Sequence, residues 1–134
     1  MTRVPTVLFL CVHNAGRSQM AAAFLEKAAA RRVRVLSAGS APGERVNPVA
    51  ALAMAEIGID ISAKAPRGVS DDDARAADVI VTMGCGDACP VYPGTRVEDW
   101  PVDDPAGRDL ATVRGIRDDI ASRVASLLER LGSG

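Results

Sequence analysis

Val4-Pro5-Thr6-Val7-Leu8-Phe9-Leu10-Cys11-Val12-His13-Asn14-Ala15-Gly16-Arg17-Ser18 is the stretch on which the fold turns. Through Val12 it is an apolar run of the kind that forms a central parallel strand buried on both faces. A short loop follows, and Ser18 to Arg31 reads as a helix with Met20, Phe24, Leu25 and Ala28 on one face. Downstream the alternation continues. Val33 to Ala38 is a second short strand, and Ser40 to Val46 is a loop carrying Pro and Gly. Asn47-Pro48 starts a helix, with Asn as cap and Pro at the first helical position; it runs to about Ile57, and Gly58 stops it. Ser70 to Ala77 is a short helix with acids in its first turn, Val79 to Met83 a third strand, and Arg96 to Val102 a weaker fourth. Leu110, Val113, Ile116, Ile120, Val124, Leu127 and Leu131 mark a final helix by their steps of three and four. This alternation predicts an α/β doubly wound domain, a parallel sheet with right-handed crossovers and helices on both faces. Ligands of such sheets sit beyond the carboxyl ends of the strands. The informative loops are therefore Cys11–Ser18, Gly84–Pro90 and Asp103-Asp104-Pro105.

The chain has 134 residues, 48% apolar and 25% charged, which fits one globular domain over 1–134. A net charge of −1 argues against nucleic acid or a polybasic membrane surface as partner. No apolar run approaches the roughly 20 residues of a membrane span, and the start has no signal-peptide architecture, so the expected compartment is the cytoplasm. Three cysteines are too few to staple a secreted fold.

Cys11 and Arg17 bracket a loop whose backbone N–H groups, from Val12, His13, Asn14, Ala15, Gly16, Arg17 and Ser18, can converge on one anion. The following helix adds its positive end, and the Arg17 guanidinium is a planar fork matched to a tetrahedral oxyanion. The same field favours the thiolate of Cys11 over the thiol. Asn14 is placed to brace the loop and Ser18 to hydrogen-bond the sulfur. A nucleophilic thiolate beneath such a cradle is a device for attacking phosphorus or arsenic centres. Cys11 as a mere core residue and Arg17 as a surface one is the bland alternative, which the spacing between strand and helix argues against. No Lys follows Gly16, so this is not a nucleotide-binding loop of the Gly-x-x-x-x-Gly-Lys type.

Cys-(x)5-Arg-Ser opening a doubly wound domain of this size resembles the low-molecular-weight tyrosine phosphatases. Within that superfamily Phe9-Leu10-Cys11, Asn14 and Arg17-Ser18-Gln19-Met20-Ala21 resemble the arsenate reductases, as do Ser37-Ala38-Gly39, Asn47-Pro48, Gly58-Ile59-Asp60-Ile61-Ser62 and Asp103-Asp104-Pro105-Ala106. The resemblance covers nearly the whole chain and implies a four-stranded sheet of order 2-1-3-4. An acid after strand four can protonate an oxygen leaving the cradle; in the family the Asp before Pro does so, which points to Asp104, with Asp103 in reserve.

Strand three ends in Met83-Gly84-Cys85-Gly86-Asp87-Ala88-Cys89-Pro90. Reducing arsenate to arsenite takes two electrons. Cys11 would form a thiol-arsenate adduct, Cys85 would attack the Cys11 sulfur as arsenite leaves, and Cys89 would take over the disulfide. Thioredoxin resets similar reductases; a low-molecular-weight thiol with a glutaredoxin-like partner is the alternative reductant. No cofactor and no metal are expected. Zinc on Cys11, His13, Cys85 and Cys89 is disfavoured by the Cys-x-x-x-Cys spacing and by Arg17, and a dinucleotide site by a missing third glycine and Pro90. Structural thiols are the bland reading of Cys85 and Cys89. The Glu that binds potassium in several such reductases is matched here by Ala22. His13 reads as a solvent-facing filler, Asp71-Asp72-Asp73 as a solvated helix start, and Tyr92 as a surface residue or partner contact. The competing functions are a tyrosine phosphatase, which needs aromatic walls where this chain has Ala106-Gly107, and a non-catalytic oxyanion-binding module.

Overall fold

The computed structural model of the chain describes residues 4–84 and 94–132. Strand β1 (Thr6–Cys11) leads through the Cys11–Arg17 loop into helix α1 (Arg17–Ala29), a 3-10 turn (Ala30–Arg32) and β2 (Arg34–Gly39). Then come α2 (Pro48–Ala55), α3 (Asp71–Ala76), β3 (Val79–Thr82), β4 (Arg96–Asp99) and α4 (Leu110–Gly132). All strand pairs are parallel, and the sheet order is β2-β1-β3-β4. β1 therefore lies between the strand that follows it and one that follows two helices later. The strand order reverses at its carboxyl end, which opens the crevice where Cys11 sits.

The pleat of β1 divides the core. Val7, Phe9 and Cys11 face one side with Met20 and Leu25 of α1 and Ile120 and Leu127 of α4. Leu8 and Leu10 face the other with Ala38, Ala74, Ala77 and Ile80. Each large side chain buried in this way stabilises the fold by roughly 1.5–3 kcal/mol. Phe9 meets Trp100 with ring centroids 5.8 Å apart, which joins the central strand to the chain beyond β4.

Several boundaries differ from those expected. β1 begins at Thr6 because Val4 stands exposed ahead of Pro5. α1 begins at Arg17 and ends at Ala29, where Ala30 turns into a left-handed conformation at φ 53°. Ala28 is exposed and Phe24 only half-buried; Met20, Ala21, Leu25 and Ala29 form the buried stripe. α2 stops at Ala55, and the next three residues form a turn closed by the Gly58 N–H on Ala55 O. β4 stops at Asp99, since Pro101 has no N–H to extend the ladder. Among the described residues no helix is long and apolar enough to cross a membrane.

Two carboxylates tie α4 to the rest. Glu56 accepts from Arg114 (2.6–3.2 Å) and Arg117 (3.0 Å), and these bonds, Arg114's first, hold its carboxyl below the usual range. Burial alone would raise Glu98, but hydrogen bonds from Arg130 and Trp100 and the charges of Arg130 and Arg96 outweigh it and lower it. With the folded values lowered, this stabilisation is complete above the ordinary glutamate value of 4.5 and drains away as pH falls from there through the lower folded values. Urea midpoints should therefore fall with acid below that value, and less steeply in Glu98→Gln; superimposable curves would contradict this.

Candidate active site

The loop from Cys11 to Arg17 owes its shape to where its carbonyls go. Those of Cys11, Val12, His13 and Ala15 accept from the N–H groups of Ser40, Ala41, Gly43 and Asn47 at 2.8–3.1 Å. Asn14 O accepts from Gln19 Nε2 at 3.1 Å and Gly16 O from Met20 N at 2.9 Å. A trans peptide points its N–H opposite to its C=O. The N–H groups of Val12, His13, Asn14 and Gly16 are thus turned away from the 40–47 loop, and that of Asn14 lies 3.3 Å from Cys11 Sγ. This is the condition for an anion-binding nest, set by the β2–α2 connection before any ligand arrives. Gly39 allows it, because a Cβ there would stand 2.6 Å from Val12 O.

Cys11 is buried, and its Sγ lies 2.9 Å from Ser18 Oγ in the first turn of α1. Asn14, fully buried and left-handed at φ 51°, donates from Nδ2 to Ser18 Oγ at 2.7 Å. With its oxygen already accepting from Asn14, Ser18 has its own proton free for the sulfur. Two donors therefore converge on Sγ. No other described side chain of Cys type is present, since Cys85 and Cys89 lie outside the described residues, as does Tyr92. The disulfide steps expected of these cysteines fall outside with them.

Arg17 is buried at the far side of the loop. Nη1 donates to Val102 O at 3.3 Å, and Nη2 stands 3.5 Å from Asp104 Oδ2. Its guanidinium lies against Gly84, where a Cβ would come within 2.0 Å of Nη1 and the backbone is left-handed at φ 78°. Glycine is required there on both counts. Gly84→Ala is expected to displace the guanidinium and weaken phosphate binding by roughly 10–100-fold, the value of a charged hydrogen bond. Calorimetric titration reads this directly, and unaltered affinity would remove Arg17 from the anion site.

Asp104 is half-exposed and fixed by a bond from the Ala106 N–H to Oδ1 at 3.0 Å. Asp104, not Asp103, lines the cleft above the loop, together with Cys11, His13, Ala15, Gly16, Arg17, Asn47, Pro105 and Ala106. The cleft encloses about 270 Å³ including its opening to solvent, and no aromatic side chain lines it among the described residues. His13 is exposed at its mouth. Among the described residues no three His, Cys, Asp or Glu side chains gather as metal ligands.

Residues to which the sequence assigned no role hold the site from behind: Gly39, Gly84, Gln19 and Arg67. The two glycines carried a signal, since Gly39 closes β2 and Gly84 lies two residues beyond β3, where loops beside β1 must approach closely. Gln19 carried only its place in the stretch from Arg17 to Ala21, and Arg67 carried no signal. Asp73, expected to be solvated, is instead paired with Arg67.

The family model described as low molecular weight phosphotyrosine protein phosphatase matches residues 6–134. A putative arsenate reductase of Halobacterium salinarum is 41% identical over 126 residues, covering 90% of this chain and 89% of that protein. The solved thioredoxin-dependent arsenate reductase of Corynebacterium glutamicum superposes with a TM-score of 0.84 at 42% identity. It covers 98% of this chain, and this chain spans 63% of that longer one. An arsenate reductase solved in a phosphate-binding state superposes with a TM-score of 0.82 at 32% identity, covering 94% of this chain and 98% of its own. On these grounds the chain belongs to the low molecular weight phosphotyrosine protein phosphatase family, among its arsenate reductases.

Proposed function

We propose that the protein reduces arsenate to arsenite, with Cys11 as nucleophile. The observation that carries this is the sulfur held between two donors at the floor of a loop whose amides face the same way. Arsenate enters as an oxyanion gripped by the amides of Val12 to Ser18 and by Arg17. Cys11 attacks arsenic, an S–As bond forms, and an oxygen leaves with a proton from Asp104. Cys85 then attacks the Cys11 sulfur; the S–As bond breaks, its electron pair stays on arsenic, and arsenite departs. Cys89 attacks Cys85, which frees Cys11 and leaves a Cys85–Cys89 disulfide. A dithiol reductant accepts that disulfide, and thioredoxin is the one we assign, in a reducing cytoplasm. Gly84, against the Arg17 guanidinium, supports the relay because Cys85 is the next residue.

The decisive experiment follows arsenite formed from arsenate with thioredoxin, thioredoxin reductase and NADPH, against glutathione with glutaredoxin. Turnover with thioredoxin alone is expected. Turnover with the small thiol alone would reassign the reductant, and none with either would reject the activity. Asp104→Asn should slow adduct formation by roughly 10²–10⁴-fold, as loss of a general acid does. An unchanged rate would move that role to Asp103. A phosphatase acting on phosphotyrosine is the second reading, and the lack of Phe, Tyr or Trp in the cleft lining among the described residues disfavours it.

A further inference from the structure

We infer that Arg67 and Asp73 are positioning residues that direct the Ser18 proton to the Cys11 sulfur; this rests on Cys11 being the nucleophile. The argument begins at the Asn14 side chain, whose amide has two possible orientations. As placed, Nδ2 donates to Ser18 Oγ, and the Ser18 proton is available to Sγ. Turned over, Asn14 would offer Oδ1 to Ser18, whose hydroxyl would then donate to the amide and be lost to the sulfur. The orientation is decided on the other side of the amide. There the Arg67 N–H lies 3.0 Å from Oδ1, and a backbone N–H can only donate. The Gln19 amide nitrogen, 3.2 Å away, adds to the same choice.

Arg67 thus controls a proton near the sulfur through its main chain, and its side chain fixes where that main chain lies. The residues leading into it, 62–65, are exposed, and Pro66 has no N–H to anchor the chain. Beyond it, Gly39 N donates to Arg67 O at 2.8 Å and Val69 N to Gly39 O at 3.3 Å. The guanidinium supplies the remaining fixed points. Nη1 donates to Ser37 O at 3.1 Å, and Nη2 pairs with the Asp73 carboxylate in the first turn of α3. Asp73 is itself placed by its N–H on the Ser70 cap at 3.1 Å. A helix on the opposite side of the sheet is in this way connected through Arg67, Asn14 and Ser18 to the reacting sulfur.

The test is alkylation of the reduced full-length chain by iodoacetamide across a pH series, with each cysteine read separately by peptide mass. In Arg67→Ala and Asp73→Asn the Cys11 rate at neutral pH should fall by roughly 3–10-fold, the profile shifting alkaline by up to about one unit with its plateau unchanged. Cys85 and Cys89 should react as before, and Arg67→Lys should fall between wild type and Arg67→Ala. Asp73→Asn keeps the Ser70 cap and gives the reading even if Arg67→Ala does not fold. Profiles that superimpose on wild type would overturn the inference, with or without a lower melting temperature, because a merely structural role changes stability and not the pH at which the sulfur reacts. If wild-type Cys11 reacts no faster than Cys85 and Cys89, the nucleophile assignment fails and takes this inference with it.

Discussion

Cys11→Ser is expected to stop arsenite formation outright, a loss of roughly 10⁴-fold or more, while phosphate still binds. The substitution leaves the cradle in place. The carbonyls of the loop remain engaged by the 40–47 segment, and Arg17 still rests against Gly84 and Val102 O. What disappears is the only atom at that position able to bond arsenic and then be attacked by a thiolate. Arsenite production and calorimetric phosphate binding, measured on the same preparation, separate the possibilities. Binding without turnover fits the enzyme. Surviving turnover would mean that another thiol attacks arsenic, and loss of both would mean that the substitution damaged the loop. A protein that only senses oxyanions would have no turnover to lose in wild type.

Cys85→Ser should be equally complete for arsenate yet spare the hydrolysis of a small aryl phosphate. The two reactions share attack by Cys11 and diverge afterwards. The phosphoryl adduct is released by water, whereas the arsenate adduct needs a second thiolate to take the sulfur. Loss of both activities would assign Cys85 a structural role, and retention of both would pass its task to Cys89.

The parts legible in the sequence are those written in local pattern. The apolar run of β1 and the steps of three and four along α4 give their elements directly. The spacing of Cys11 from Arg17 gives a loop opening a helix, and Asp104-Pro105 reaches the same cleft. What was not legible depends on contacts between distant positions. Arg67 reaches Asn14 across 53 residues, and Arg17 reaches Val102 across 85. Neither partner has a residue type that announces the meeting. Helix ends also depend on more than local pattern. Ala30 is of the strongest helix-forming type, yet its left-handed backbone ends α1, which no propensity predicts.

The grip proposed for the loop also limits what it can refuse. Peptide N–H groups and one guanidinium respond to size, tetrahedral shape and negative charge, and phosphate supplies all three. A pocket built this way should admit the commoner anion as well. Discrimination is left to the later chemistry, because phosphorus does not accept the electron pair that arsenic does. Throughput at a given arsenate load should therefore follow the proportion of the two anions in the surrounding medium and not the arsenate level alone.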